Sequence, residues 1–176
     1  MPVPLYTGKF LALIKDGHWE YAHRVNASGA AIILALTAEN KLLLVEQYRI
    51  PCQTITIELP AGIVGDEHGR ADEPISQAAR RELLEETGYD CEHLEPLTTG
   101  PSSGGLASEL VTLFRATGLR RVGSGGGLPN EGIMVHEVPL TEVHDWLETK
   151  ARAGVLVDPK VYAGLYWVAG PPHHEL

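Results

Sequence analysis

Cysteine and long apolar stretches are both scarce in this 176-residue sequence. Its two cysteines, Cys52 and Cys91, show no metal-ligand spacing. No apolar run approaches the roughly 18–20 residues that a membrane-spanning helix requires, and the N-terminus lacks the basic and then apolar segments of a signal peptide. We therefore expect a cytoplasmic protein that does not bind a membrane, with reduced thiols rather than a disulfide.

Basic residues are also few. The sequence has 14 lysines and arginines against 23 aspartates and glutamates, which gives a formal charge of −9. A nucleic acid partner is disfavoured, because neutralisation of phosphates by Lys and Arg dominates such binding. A small phosphorylated molecule stays compatible with this charge, since a local cluster of bases or a metal ion can bind it.

Several common binding motifs are missing. The eight histidines show no HExxH arrangement, no glycine-rich stretch contains the GK[ST] of a Walker A loop, and "GSGGG" does not match GxGxxG. Residues 100–105 ("GPSSGG") and 121–132 ("RVGSGGGLPNEG") are predicted to be flexible loops. Such loops are either surface connections or mobile segments beside an active site.

The remaining composition, 44% apolar and 21% charged, is that of an ordinary globular protein, and without internal repeats it predicts a single domain over residues 1–176. Seven segments are rich in β-branched and other apolar residues and are predicted as strands. They are residues 9–14, 18–25, 30–36, 41–48, 54–59, 110–116 and 133–138. The first two, around "KDG", form a predicted hairpin. The next two, around "TAEN", form a second predicted hairpin of central strands.

Three segments are predicted as helices. The first spans residues 73–87, with Pro74 near its start and Gly88 just past its end. The second is "LTEVHDWLETKARAG", with Thr141 as N-cap and Gly154 as stop. The third is "DPKVYAGLYWVAG", in which Asp158 caps and Pro159 takes the first helical position. Strands outnumber helices without strict alternation, which favours an α/β sandwich with a mixed sheet over a doubly wound parallel fold.

Negative charge is concentrated in the first helix. Glu82, Glu85 and Glu86 stand at positions i, i+3 and i+4, so their carboxylates share one helical face. Arg81 can pair with Glu85, but a single guanidinium cannot neutralise three carboxylates. The pattern has two interpretations, a solvated charged face or a site for Mg²⁺ or Mn²⁺, which prefer clustered oxygen ligands.

The residues around this helix carry a resemblance. The stretch "GIVGDEHGRADEPISQAARRELLEETGY" resembles the Nudix box, GX5EX7REUXEEXGU, where U is aliphatic or aromatic. Glu73, Arg81, the three glutamates and Gly88 match every fixed position of its second half. The first half departs from the motif, because Gly62 precedes Glu73 by ten residues rather than five. We attribute the difference to an insertion in an exposed loop.

The similarity extends over residues 8 to about 170. "LLLVEQYR" and "IELPAG" look like the strands that lead to the box in ADP-ribose pyrophosphatases. "GPSSGGLASELVTLFRATGL" resembles the serine-proline-glycine loop and following strand of that subfamily, although Ser103 replaces the usual proline. "PNEGIMVHEVPL" resembles a late loop that carries an additional acid. The resemblance implies a Nudix-type α/β/α sandwich with an N-terminal antiparallel strand extension.

The resemblance also implies roles at the catalytic centre. Glu82, Glu85, Glu86 and the carbonyl of Ala61 would bind Mg²⁺, with Mn²⁺ as an alternative, and Glu73 with Arg81 would fix the geometry of the box. Glu131 matches an acid of a mobile loop that activates water or steadies a metal. Glu86 is the competing general base, and the sequence does not separate the two. The box residues with structural roles are Gly62, Glu73, Arg81 and Gly88.

Substrate contacts are implied elsewhere in the chain. Phe10 and Trp19 fall where relatives place aromatics that sandwich a nucleobase. Arg24 and Arg49 match positions that contact the diphosphate or its sugars, for which the forked donors of arginine are suited. In the family the N-terminal strands, here residues 1–27, take part in a homodimer, so we expect a dimer.

Together these features predict a Mg²⁺-dependent hydrolase that cleaves ADP-ribose to AMP and ribose 5-phosphate. One alternative is a pyrophosphatase for another nucleoside diphosphate sugar, GDP-mannose or a UDP-sugar. Another is a Nudix-fold module that binds a nucleotide without cleaving it. The latter would be expected to lose box carboxylates, and all three are present.

Overall fold

The computed structural model describes residues 1–65, 72–128 and 131–169. In this part of the chain the strands are β1 (Val3–Thr7), β2 (Leu11–Asp16), β3 (Trp19–Arg24), β4 (Gly29–Ala35), β5 (Lys41–Arg49), β6 (Thr54–Glu58), β7 (Ala61–Val64), β8 (Tyr89–Asp90), β9 (His93–Pro101), β10 (Leu110–Thr117), β11 (Arg120–Arg121), β12 (Met134–Pro139) and β13 (Leu156–Val157). The helices are α1 (Ile75–Thr87), α2 (Val143–Arg152) and α3 (Pro159–Ala169), and a 3-10 turn spans Ile50–Cys52. None of the described helices is long and apolar enough to cross a membrane.

Two four-stranded sheets form the centre of the molecule. Their strand orders are β7-β4-β10-β9 and β12-β5-β6-β13. Strand β10 runs parallel to β4, and β13 runs parallel to β6, whereas the other pairings in these sheets are antiparallel. The mixed α/β architecture predicted from the sequence is therefore confirmed.

One predicted pairing is wrong. Strands β4 and β5 were expected to form a hairpin around "TAEN", but they lie in different sheets. The antiparallel contact across the turn is limited to the isolated bridge from Leu36, which follows β4, to Leu42, and to the hydrogen bond from the Thr37 amide to the Lys41 carbonyl. Strand β4 pairs with β7 and β10, and strand β5 pairs with β6 and β12. A continuous apolar run in a strand indicates that both faces of the strand are buried, as they are here, but it does not indicate which strand lies beside it.

Strand β4 separates two layers of core. Its residues alternate, so that Ile32 and Leu34 face one layer whereas Ala31 and Ile33 face the other. The first layer includes Val143 and Leu147 of α2 and Val161 and Leu165 of α3. The second includes Ala79 and Leu83 of α1 with Phe114 of β10. Helices thus cover both faces of the sheets, and the α/β/α sandwich is confirmed.

The first three strands form a separate antiparallel sheet, β1-β2-β3. The predicted hairpin around "KDG" is confirmed by its β2–β3 pairing, which runs from Leu11 opposite Arg24 to Asp16 opposite Trp19. Many apolar side chains of this sheet are exposed, among them Val3, Leu5, Leu11 and Leu13. The N-terminal strand extension is therefore present.

Helix ends follow the local sequence signals in two of three cases. Helix α1 begins after Pro74 and ends before Gly88, whose φ is +76°. At α3 the Asp158 carboxylate accepts a hydrogen bond from the Lys160 amide at 2.8 Å, and Pro159 is the first helical residue. Helix α2 differs from the prediction, because its N-cap is Glu142 rather than Thr141.

The reason for the shifted start of α2 lies in the preceding turn. The Glu142 amide donates to the carbonyl of Pro139 at 2.9 Å, so the chain completes a turn after β12 before the helix begins. Glu142 caps without a side-chain hydrogen bond. A threonine one residue earlier was therefore a misleading signal.

Candidate active site

A cavity of about 620 Å³ lies among strands β3, β4, β5, β6 and β7, helix α1 and the start of α3. Its described wall carries three bases, Arg24, Arg49 and Lys160. Six acids face the same space, namely Glu58, Glu82, Glu86, Glu109, Glu131 and Asp158. With all nine groups ionised this wall would have a net charge of −3, which favours a cation within the cavity.

Glu82 lies directly over Gly62. A Cβ placed on Gly62 would stand 1.9 Å from Cδ and 2.2 Å from Oε1 of Glu82. No other residue type fits at position 62 without displacing this carboxylate. The structure thus gives a steric reason for the glycine that starts the sequence motif.

Glu86 reaches the same edge of β7. Its Oε2 accepts a hydrogen bond from the Ala61 amide at 3.0 Å, and only 7% of the residue is exposed. Burial raises the pKa of Glu86 to about 8, against the lowering effect of the Ala61 amide, and the negative charge of Glu82 raises it further. Two adjacent carboxylates from one helix therefore meet the Ala61–Gly62 backbone.

Arg81 holds the other carboxylates of the box. It donates to both oxygens of Glu73, at 3.4 and 3.2 Å, to Glu82 at 2.6 Å and to Glu85 at 3.3 Å. Although burial opposes its charge, the hydrogen bond that Arg81 donates to Glu73 and the negative charge of Glu82 raise the pKa of Arg81 above its ordinary value. This guanidinium relieves the repulsion that the sequence places on one helical face.

The positions of the acidic side chains do not form a preorganised metal site. In the described residues no three His, Cys, Asp or Glu side chains are grouped closely enough to hold a metal ion. Glu82 and Glu86 line the cavity, whereas Glu85 is more than a third exposed and turns toward Arg81. The structure therefore brings together Ala61, Gly62, Glu82 and Glu86 and leaves Glu85 at the margin.

Arg49 lies in the cavity and is held by Glu58. Its Nε and Nη2 each donate to a carboxylate oxygen of Glu58 at 2.7 Å, and the Thr56 hydroxyl donates to the same carboxylate at 2.6 Å. Although burial opposes ionisation, these hydrogen bonds hold the pKa of Glu58 below its ordinary value. Sequence reasoning identified Arg49 and missed Glu58. The alternation of β6, which places Thr56 and Glu58 on one face, was the available signal.

Arg24 also lines the cavity and forms an ion pair with Glu109. Glu109 was missed because it lies 85 residues from Arg24 and belongs to no local motif. Asp158 and Lys160 at the start of α3 also line the cavity and were also missed as site residues. Their ion pair, 2.5 Å long, joins the cap of α3 to the cavity.

Glu131 faces the cavity with the carboxylates of α1. Its Oε2 accepts a hydrogen bond from the Leu128 amide at 2.8 Å, and its own amide donates to the Leu128 carbonyl at 2.9 Å. The preceding residues 122–127 were expected to be flexible, yet they are hydrogen-bonded to the end of α1. Residues 129 and 130, also within that predicted loop, lie outside the described residues.

Phe10 and Trp19 are not brought together within one chain. Phe10 precedes β2 where Leu11 pairs with Arg24, and Trp19 begins β3 at the other end of the hairpin. Trp19 instead lines a second cavity of about 340 Å³ with Tyr21 and Ser108. A nucleobase sandwich between Phe10 and Trp19 therefore cannot form inside one described chain, and their roles stay a prediction.

Comparison with known proteins gives consistent matches. A family profile for the NUDIX domain matches residues 26–158. A methanol dehydrogenase activator of Bacillus methanolicus is 37% identical over 78% of this chain and 72% of its own length. An ADP-ribose pyrophosphatase of Bacillus subtilis is 31% identical over 83% and 80% of the two chains. A GDP-mannose pyrophosphatase of Cronobacter sakazakii is 33% identical over 76% and 69%.

A solved structure, described as an ADP compounds hydrolase, superimposes with a TM-score of 0.66. It covers 84% of this chain and 80% of its own, with 19% sequence identity. At that identity the match supports the fold.

Proposed function

Since this chain belongs to the NUDIX domain family and is a Nudix hydrolase, we propose that it hydrolyses the pyrophosphate bond of ADP-ribose to AMP and ribose 5-phosphate in a Mg²⁺-dependent reaction. One observation carries the proposal. Glu82 and Glu86 meet the Ala61–Gly62 backbone in a cavity that also contains Arg24 and Arg49. Acids for a metal and arginines for phosphates therefore face one space.

The donor chemistry of these residues, rather than the present spacing of their side chains, fits a hard divalent cation. The candidate donors are all oxygens, and the missing side chain at Gly62 leaves room for the Glu82 carboxylate. Glu82, Glu85, Glu86 and the Ala61 carbonyl would hold Mg²⁺, with Mn²⁺ as an alternative. When bound, the ion would neutralise charge on the pyrophosphate and lower the pKa of a water ligand.

The chain's own groups supply orientation and proton transfer. The guanidinium of Arg49 is fixed by Glu58, so it meets a phosphate with little loss of side-chain freedom. Arg24, paired with Glu109, also lines the cavity and would contact the diphosphate or a sugar. Glu86 and Glu131 both face the cavity as candidate bases for the attacking water.

Recognition of the base would use the N-terminal strands. The second cavity is walled by Trp19 and Tyr21 and is large enough for an aromatic ring system. Stacking of a base on an aromatic side chain contributes about 1–3 kcal/mol. Because Phe10 lies at the other end of the hairpin, its contribution to a base site would require a second copy of the chain.

We therefore propose a homodimer formed through residues 1–27 of a cytoplasmic, single-domain protein. The N-terminal sheet supports this assignment, since Val3, Leu5 and Phe10 are more than half exposed. Several exposed apolar groups within one short N-terminal segment are typical of an interaction surface. Light scattering on wild type and Leu5→Asp checks this directly: a dimer that the aspartate dissociates supports the assignment, and a monomeric wild type overturns it.

A second candidate substrate is GDP-mannose or a UDP-sugar. It is favoured by the GDP-mannose pyrophosphatase relative, whose similarity to this chain is comparable to that of the ADP-ribose pyrophosphatase. Aromatic stacking tolerates different bases, so Trp19 does not select between them. A non-catalytic nucleotide-binding module is disfavoured by the presence of all three box glutamates.

Product analysis tests the proposal. The protein would be incubated with Mg²⁺ and each of ADP-ribose, GDP-mannose, UDP-glucose, NADH and diadenosine polyphosphates. AMP with ribose 5-phosphate, formed fastest from ADP-ribose and stopped by a chelator, is the expected result. Faster cleavage of another compound would overturn the substrate assignment and keep the reaction. Nucleotide binding without cleavage would favour the binding module.

A further inference from the structure

Residues 122–127, here called the glycine loop, are fastened to the C-terminal end of α1. The amides of Val122 and Gly123 donate to the Gly88 carbonyl, at 2.8 and 3.0 Å. The Gly126 amide donates to the Glu86 carbonyl at 2.7 Å, and the Gly127 amide to that of Glu85 at 3.0 Å. Carbonyls in the last turn of a helix have no partner within the helix, so the loop satisfies groups that would otherwise need water.

The contact between loop and helix is backbone against backbone. A Cβ on Gly125 would stand 2.4 Å from the carbonyl carbon of Thr87, and the φ of Gly125 is +66°. From the helix side, a Cβ on Gly88 would stand 2.4 Å from the Gly123 oxygen. Only glycine at positions 88 and 125 permits this approach. The glycine run, which suggests flexibility in the sequence, here serves a fixed contact.

The end of this loop also contacts Glu131. Beyond Gly127, the Leu128 amide holds Oε2 of Glu131, and a Cβ on Gly127 would stand only 2.4 Å from that oxygen. The φ of Gly127 is +68°. The Glu131 carboxylate is therefore positioned through a short run of backbone whose other end is bonded to the carbonyls of Glu85 and Glu86.

Helix α1 presents its own carboxylates to the cavity that Glu131 faces. Glu86 has two contacts, since its side chain binds the Ala61 amide and its carbonyl binds the Gly126 amide. We propose that Gly125 and Gly127 are positioning residues, which fix the Glu131 carboxylate relative to Glu86 for hydrolysis. This inference rests on the proposed function.

The loop offers matched substitutions for a test. Gly125→Ala introduces both a clash with Thr87 and a strained φ. Gly126→Ala introduces strain alone, because φ is +102° and its Cβ would lie 3.7 Å from the nearest atom, the Ile133 oxygen. Gly123→Ala introduces neither, since its φ is not positive and its Cβ would meet only the Gly88 Cα, at 3.7 Å.

We expect Gly125→Ala to lower kcat for the cleaved nucleotide about 100-fold, the scale of a 1 Å misplacement of a catalytic group. KM and the Kd for Mn²⁺, measured by its paramagnetic signal, stay near the wild-type values. Gly123→Ala keeps the wild-type kcat, and Gly126→Ala lies between the two.

A double-mutant cycle separates positioning from general damage. If Gly125 acts through Glu131, Gly125→Ala costs nothing further in a Glu131→Gln background. An equal loss of kcat in both backgrounds overturns the proposal, as does a wild-type kcat for Gly125→Ala. If Gly125→Ala fails to fold, as judged by circular dichroism, the same cycle is run with Gly127→Ala, whose Cβ would meet the side chains of Glu131 and Ile133 instead of the helix backbone.

The outcomes distinguish this inference from the function on which it rests. A wild-type protein that cleaves no substrate of the panel refutes the proposed function. A cleaving wild type with a fully active Glu131→Gln variant refutes the positioning proposal alone, because there is then no catalytic carboxylate for the loop to position.

Discussion

The Glu82 carboxylate occupies the space that a side chain on Gly62 would need, with Cδ 1.9 Å from the position of the absent Cβ. The two residues belong to β7 and α1, so the contact fixes the helix face that carries the box against the strand that opens it. The requirement for glycine here comes from the space that Glu82 needs, since the φ of Gly62 is not positive.

Gly62→Ala should therefore displace Glu82 and reduce turnover sharply while the protein still folds. We expect weaker Mn²⁺ binding, because Glu82 is a proposed ligand, and a loss of kcat of about 10–100-fold or more. Kinetics and metal titration measure both. Gly100→Ala in β9 is the matched control, since its Cβ would meet no atom within 4 Å. Equal activity of the two variants would contradict the steric argument.

Glu85→Gln and Glu86→Gln test the metal assignment. Each should abolish turnover and leave the fold intact. Glutamine can still accept the Ala61 hydrogen bond that Glu86 accepts, and Glu85 is partly exposed. Circular dichroism and thermal unfolding check the fold, and Glu95→Gln, on an exposed carboxylate of β9, is the control. Near-normal activity in both variants would refute the proposed ligands.

Much of the box could be predicted from the sequence, because its signals are local. Pro74 and Gly88 mark the ends of α1 within two residues, since both act through the backbone at their own positions. Asp158 and Pro159 likewise mark the start of α3. The contact between Gly62 and Glu82 depends on tertiary structure, but both residues belong to the sequence motif.

The rest depends on contacts between distant segments. Glu109 joins the site through a partner 85 residues away, and no local pattern reports such an ion pair. Strands β4 and β5 were correctly predicted as central, but their neighbours are set by the whole sheet. The glycine loop was predicted to be flexible because glycine-rich segments often form turns and loops. In the structure the positive φ values that glycine allows permit close packing on α1.

Arg49→Lys should raise KM more than it lowers kcat. Lysine keeps the charge but cannot donate the two parallel hydrogen bonds that Glu58 receives, so the cation is no longer held in place. Leaving a buried carboxylate imperfectly paired should also lower the free energy of unfolding by about 1–3 kcal/mol. Steady-state kinetics and urea unfolding measure the two effects. An unchanged KM would remove Arg49 from the substrate site.

Stability at acid pH should depend on Glu46, which lies away from the cavity. Its Oε2 accepts hydrogen bonds from Lys150 of α2 at 2.6 Å and from His136 of β12 at 2.8 Å. The Lys150 bond is the main cause that holds the pKa of Glu46 below its ordinary value of 4.5, against the effect of burial. A carboxylate whose pKa is lower in the folded than in the unfolded state stabilises the fold at pH values above the unfolded-state pKa. This stabilisation is lost as the pH falls through the folded-state pKa.

Glu46→Gln should therefore be less stable than wild type at neutral pH and approach it in stability as the pH falls below 4.5 and through the lowered pKa of Glu46. The urea midpoint, measured across that range, gives the difference. Glu148→Gln on α2 removes an exposed pair with Arg152 and should change stability by less than about 1 kcal/mol. If the difference in urea midpoint between wild type and Glu46→Gln stays constant with pH, packing rather than ionisation of Glu46 joins α2 to the sheet.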